Sequence, residues 1–168
     1  MLTPVILTVI REECDKKDID VVLFSAIVLT ECANLNPKAM RYEPTFTHYW
    51  KVNEFAKEQG IDAKTEMMLQ KCSYGLCQIM GGTARGLSFK GPLVDLLDIK
   101  TNIAWGTQYF KKNCARYIYV NDQIASYNAG SVSKTIEGKY SNQLYVDKVL
   151  KNVTKLQESS FHSERLVH

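Results

Sequence analysis

The residue best placed to do proton chemistry is Glu31. Counting back from it in helical steps gives Val28 or Ile27 and then Phe24, so this carboxylate belongs to the apolar stripe of a buried helix. Burial disfavours the charged form, and the negative end of the helix macrodipole does the same. Both push Glu31 towards a protonated acid near neutral pH, the state from which a general acid protonates a leaving group. The competing reading is a helix-end glutamate that reaches solvent or pairs with a lysine, since structural ion pairs also shift pKa values. A second candidate is the segment SYGLCQIM, residues 73–80. There Gly75 permits close backbone approach, and Gln78 offers a donor and acceptors suited to sugar hydroxyls and acetamido groups. A buried short helix with one exposed glutamine accounts for the same letters. The third is ASYNAG, residues 125–130, which presents the phenol of Tyr127 and the amide of Asn128 together at a helix end before Gly130. Those groups suit a carboxyl or an N-acetyl carbonyl, and a helix cap with a core tyrosine explains them equally.

The elements that must hold these groups are helices. Pro4 opens a first helix over residues 4–14, and Asp20 caps a second over 21–33 whose apolar run marks burial on nearly all sides. Asn36-Pro37 closes it, because a residue before proline is pushed out of the α region. An irregular aromatic stretch follows, then helices over 51–59, ending at Gly60, and from Asp62 through Lys71. Thr83 opens a short turn. The spacing predicts a long helix from Asp98 to Arg116, one from Asn121 through Tyr127, and a last one capped by Ser141 with Leu144, Tyr145, Val149 and Val153 as its stripe. No period-2 pattern long enough for a strand is present, so the expected class is mainly α. A chain of 168 residues makes one domain, here 1–168 with a core over 20–157 and a polar tail, 160–168, expected to fray.

Composition excludes several functions. Apolar residues make up 45% and charged residues 23%, which excludes a disordered chain, and 21 Lys+Arg against 18 Asp+Glu leave 21 − 18 = +3, too mild and too scattered for a nucleic-acid binder. Five cysteines, an odd number without paired CxxC spacing, read as reduced thiols rather than a disulfide framework or a zinc site, so no metal is expected. The longest apolar run, Val21 to Leu29, falls far short of the roughly 20 residues of a membrane span. The start, MLTPVILTVIREE, lacks a basic leader and a cleavage site, so no signal peptide is read and a substrate outside the cytoplasm requires another delivery route.

In order along the chain stand Glu31-Cys32, Asn36-Pro37, Gly75-Leu76-Cys77-Gln78-Ile79-Met80 and Ser126-Tyr127-Asn128-Ala129-Gly130, with Thr83-Ala84, Asn102-Ile103, Gly106 and Tyr109-Phe110 between the last two. This order resembles the lytic transglycosylases of glycoside hydrolase family 23, the lysozyme-like SLT domains related to goose-type lysozyme. The likeness spans roughly residues 20–150, and three ordered motifs carry far more than one. RYEP and the later MGGTARGLSFKGPL look like the phage-encoded, endolysin-type members. Departures are Cys32 for the usual serine, Cys77 for a methionine, Arg41 where many members have a substrate-contacting serine, and Ser141 where some carry a second glutamate.

The resemblance implies a single lysozyme-like helical domain, a monomer, that binds peptidoglycan glycan strands and degrades the cell wall, with no cofactor and no metal. It implies that Glu31 is the sole catalytic acid and base. It also makes Gln78, Met80, Tyr127, Asn128, Arg41 and Ser73 the substrate-binding residues, with the Tyr127 hydroxyl holding Glu31 or an acetamido group. The implied reaction cleaves the β-1,4 bond between N-acetylmuramic acid and N-acetylglucosamine and closes a 1,6-anhydro ring. One alternative is a hydrolase of goose-type lysozyme character in which Glu43, Asp95 or Asp98 places a water. Ion pairing with Arg41 for Glu43, and helix capping for Asp98, compete with that duty. Another alternative is a wall-binding or phage-structural module without activity.

Overall fold

The computed structural model describes residues 2–165, with side chains through residue 159. Among the described residues, eight α-helices and one small sheet build two lobes. In the larger, α1 (Pro4–Asp15), α2 (Val21–Glu31), α6 (Ile99–Tyr109), α7 (Val120–Ala129) and α8 (Gln143–Arg165) surround one hydrophobic core. Local chemistry sets the helix starts: Thr3 Oγ1 accepts from Ile6 N at 3.3 Å, and Asp20 Oδ1 accepts from Leu23 N at 2.6 Å. As expected, α2 is buried nearly all round. Phe24, Ala26, Ile27 and Val28 have no exposed surface, and each large apolar side chain so enclosed contributes about 1.5–3 kcal/mol.

The smaller lobe holds α3 (Val52–Gln59), α4 (Ala63–Gln70), α5 (Gly81–Gly86) and three strands, β1 (Met40–Tyr42), β2 (Cys72–Tyr74) and β3 (Ile79–Met80), paired antiparallel in the order β1-β2-β3. Arg41 stands opposite Ser73, and Ser73 opposite Met80. The fold is mainly α, as expected; the small sheet adds three strands that the sequence showed no period for, and it stands where one reading of 73–80 placed a short helix. Strands of two or three residues are too short to show a period, and β1 is exposed along its whole length. The turn between β2 and β3 is stapled from outside. Asn102 Nδ2 donates to the carbonyls of Tyr74 and Leu96, both at 2.8 Å, while its Oδ1 accepts from Cys77 N at 2.8 Å. Gly75, at φ +65°, leaves room for that side chain, because a Cβ there would lie 2.5 Å from Asn102 Nδ2.

Three further boundaries differ from the sequence reading. The long helix expected to Arg116 gives way at Phe110–Cys114 to a π-helical turn, in which Ala115 N donates five residues back to Phe110 O at 2.9 Å and the Asn113 amide donates to Tyr109 O at 3.3 Å. Helix α7 starts at Val120 with Tyr119 in the cap position, two residues before Asn121, the cap expected from the sequence. Helix α8 starts after Asn142, whose carbonyl accepts from Tyr145 N at 2.9 Å, whereas Ser141 N donates to Ser133 O at 2.9 Å in the preceding hairpin. Leu144 is exposed, so the buried stripe of α8 is Val146 and Val149 with Tyr145 and Val153 packed beside them. Of the expected frayed tail, α8 carries the backbone to Arg165, and the side chains from 160 onward with residues 166–168 lie outside the described residues. Among the described residues no helix is long and apolar enough to cross a membrane, and all five cysteines are free and buried.

A buried ion pair fastens the smaller lobe. Arg85 donates from Nε to Glu66 Oε1 at 2.8 Å and from Nη1 to the carbonyls of Phe89 and Gly91, both at 2.8 Å. Gln70 donates from Nε2 to Glu66 Oε1 at 3.0 Å and to Trp50 O at 2.9 Å, and its own Oε1 accepts from Trp50 N at 2.8 Å. The network thus ties α4 and α5 to the aromatic loop before α3.

Candidate active site

Helix α2 ends where the two lobes meet, and Glu31 is its last residue. A cleft of about 240 Å³ opens there, lined by Glu31, Arg41, Glu43, Ser73, Gln78, Met80, Tyr127 and Asn128, together with Cys77, Ile79, Thr83 and Tyr109. The catalytic, substrate-binding and Glu43 positions drawn from the sequence are therefore on one surface, although they come from α2, β1 and the residue after it, β2, the turn after β2, β3 and α7. Asp95 and Asp98 are not part of this cleft; Asp98 caps α6, accepting from Thr101 N at 2.9 Å.

Burial raises the pKa of Glu31 above the ordinary carboxylate value, opposed by a hydrogen bond from Tyr145 and by the charges of Arg41 and Lys148. The net direction is upward. Tyr145 OH donates to Glu31 Oε1 at 2.6 Å. Its own pKa is pushed far up by burial and by the carboxylate beside it, so it remains a donor. Tyr145 reaches Glu31 because α8 packs along α2, where Lys148 Nζ donates to Thr30 O at 3.5 Å and Asn152 Nδ2 to Thr30 Oγ1 at 2.9 Å.

The structure corrects the assignment of that role to Tyr127. Its hydroxyl donates to Cys77 O at 3.0 Å, and its ring is enclosed by Phe24, Tyr109 and Phe110. Tyr127 thus anchors the turn that carries Gln78. The sequence signal for Tyr145 was a phenol standing in the apolar stripe of α8, a polar tip that burial obliges to find a partner. Tyr145→Phe is expected to lower turnover about tenfold, the worth of a hydrogen bond to a charged group, and to move the alkaline limb of the pH–rate profile upward. Tyr127→Phe should instead appear mainly as a loss of stability of about 1–3 kcal/mol from the orphaned Cys77 carbonyl. Kinetics and melting curves of the two variants side by side check both.

Gln78 sits at φ +46° with its amide fixed at both ends: Oε1 accepts from Ser73 Oγ at 2.9 Å, and Nε2 donates to Gly75 O at 2.8 Å. Ser73 Oγ also lies 3.4 Å from Arg41 O, so β1, β2 and the turn form one preorganised wall. Met80 is half-buried at the end of β3, and Asn128 is exposed, its Oδ1 accepting from Asn142 Nδ2 at 3.1 Å. Arg41 and Glu43 form the ion pair expected of them, from Nε to Oε1, on the rim.

The raised pKa of Glu31 has a stability consequence. The folded protein holds this proton more tightly than the unfolded chain. Below the unfolded value of 4.5 both states are protonated and nothing is lost; as pH rises past it the stability that protonation supplies declines, until the folded group also ionises. Glu31→Gln escapes this cost. The difference in melting temperature, variant minus wild type, should grow with pH above that value and then level off, and a difference that shrinks with pH would contradict the shift.

Residues 8–149 match the family described as Transglycosylase SLT domain. No curated protein and no solved structure matches the chain.

Proposed function

The chain belongs to the transglycosylase SLT domain family, lysozyme-like domains of lytic-transglycosylase type that act on peptidoglycan, and on that premise we propose that it cleaves the N-acetylmuramic acid–β-1,4–N-acetylglucosamine bond and leaves a 1,6-anhydromuramic end. The observation that supports this reading is Glu31, an acid of raised pKa held by Tyr145 on the floor of the cleft. In its protonated form Glu31 gives its proton to the glycosidic oxygen as the C–O bond breaks. Positive charge then develops on the muramyl ring. The carboxylate so formed accepts the proton of that sugar's own 6-hydroxyl, whose oxygen bonds to the anomeric carbon and closes the second ring. The proton returns to Glu31, and no water is consumed.

Such a scheme uses one carboxyl group, whereas an inverting hydrolase requires a second, about 6.5–9.5 Å from the first, to activate water. Glu43 lines the same cleft, which keeps the hydrolase as the second reading, but its Oε1 is engaged by Arg41. The 6-hydroxyl, tethered to the reacting sugar, also has the advantage of effective concentration. The cleft is complete within one chain, which supports a monomer. The phage-type letters RYEP and MGGTARGLSFKGPL support a phage-encoded, endolysin-like enzyme that reaches the wall after release from the cytoplasm or as part of a virion. Loss of turbidity of purified cell walls on addition of the protein tests the enzymatic reading; walls left intact by the folded protein would favour a binding or structural module.

A further inference from the structure

A cavity of about 190 Å³ that shares no lining residue with the catalytic cleft opens where α1, α2 and α8 meet. Its walls are mostly hydrocarbon. Leu7 on α1, Val22 on α2 and Leu156 on α8 line it. Leu2 joins them because it stands just before the Thr3 cap, the position from which an apolar side chain folds back onto the fourth helical residue, here Leu7.

Two groups break that apolar lining. Ser25 lies one turn along α2 from Val22 and is 2% exposed, and its Oγ is the only buried side-chain nitrogen or oxygen without a hydrogen-bond partner among the described residues. A hydroxyl inside a helix can be satisfied by the carbonyl four residues back, as Thr30 Oγ1 is by Ala26 O at 2.8 Å, but Ser25 makes no such bond. Arg11, one turn along α1 from Leu7, is the other. It is exposed, is the only charged residue on the lining, and makes no ion pair among the described residues.

These features define a guest. Leucines and valines call for an apolar body, the unpaired hydroxyl for an oxygen close to Ser25, and the lone guanidinium for an anion. The volume limits its size, since an apolar cavity of about 150 Å³ takes a benzene ring. We propose that this cavity is a small-molecule site separate from the catalytic cleft. It takes an amphipathic acid of about one ring, with the carboxylate paired to Arg11 and a hydroxyl or carbonyl oxygen bonded to Ser25 Oγ. The site is independent of the peptidoglycan reading, because a protein without wall-cleaving activity would carry it unchanged.

Calorimetric titration of the full chain with the three hydroxybenzoate isomers tests this, with benzoate and the hydroxybenzyl alcohols each lacking one of the two polar groups. At least one isomer should bind. Benzoate should bind about fivefold more weakly for want of the bond to Ser25, and the matching alcohol about fivefold more weakly for want of the charge. Ser25→Ala should erase the first difference and keep the second, and Arg11→Gln should do the reverse. Ser25→Ala should also melt no lower than wild type, because no internal hydrogen bond is lost. Binding of no isomer at millimolar concentration would overturn the proposal. So would differences that survive both substitutions, a lower melting temperature for Ser25→Ala, or displacement of the bound isomer by a glycan fragment, which would place it in the cleft.

Discussion

Glu31→Gln is expected to abolish wall lysis in a protein that folds as well as or better than wild type. The amide has nearly the same shape as the carboxyl, and its Oε1 still accepts from the Tyr145 hydroxyl, which lies 2.6 Å from the carboxylate. What it lacks is a proton that a leaving glycosidic oxygen can take and a base that can later recover one. General acid–base catalysis contributes about 10²–10⁴-fold, and here one group serves both half-reactions, so the loss belongs at the upper end of that range. Turbidity assays with matched circular dichroism decide it. More than about a tenth of wild-type activity in the folded variant would take the proton-transfer role away from Glu31.

The second large effect lies away from the chemistry. Arg85 and Glu66 are 1% and 0% exposed, and their pairing is completed by Gln70 and by the carbonyls of Phe89 and Gly91. The Arg85 guanidinium also lies 4.3 Å from the centre of the Phe55 ring. Arg85→Met fills much of the same space but strands a carboxylate in the core, which costs about 3–5 kcal/mol. The double variant Glu66→Met with Arg85→Met should recover part of that, because it removes the uncompensated charge. Because the network holds Trp50 and thereby the aromatic loop, the single variant should also lose activity at temperatures below its melting transition. Urea unfolding of the three proteins provides the measurement; a penalty below about 1 kcal/mol for Arg85→Met would show that the pair carries little of the lobe's stability.

The legible parts of the sequence were those set by neighbours along the chain. Phe24, Ile27 or Val28 and Glu31 fall on one helical stripe, so an enclosed carboxyl was one of the two readings that the spacing offered, the other being a helix-end glutamate reaching solvent. Asp20, Asp62 and Asp98 announce their helices because a cap acts within three residues. What escaped depends on distant partners. The pairing of Arg41 with Ser73 joins segments more than thirty residues apart, and strands that short leave no alternation to detect. Tyr127 and Tyr145 are both phenols on apolar helix faces, and only the packing of α8 on α2 decides that the second reaches Glu31. The Glu66–Arg85 pair likewise spans nineteen positions, each partner looking in sequence like a solvated helix charge. The π-helical turn, seen in Ala115 N donating to Phe110 O with the Asn113 amide on Tyr109 O at 3.3 Å, interrupts a stretch whose spacing in sequence is that of a regular helix.

The central claim concerns what becomes of the anomeric carbon once Glu31 has released the leaving sugar. Attack by the 6-hydroxyl gives a muramyl end lighter by one water than a hydrolytic product, and it creates no reducing group. Mass spectrometry of the muropeptides that the purified protein releases from cell walls therefore distinguishes the two outcomes in one spectrum. The predicted result is 1,6-anhydromuramic ends with no new reducing ends. Mainly reducing muramic acid would contradict the account and make Glu43, beside Arg41 on the rim, the carboxylate that activates water.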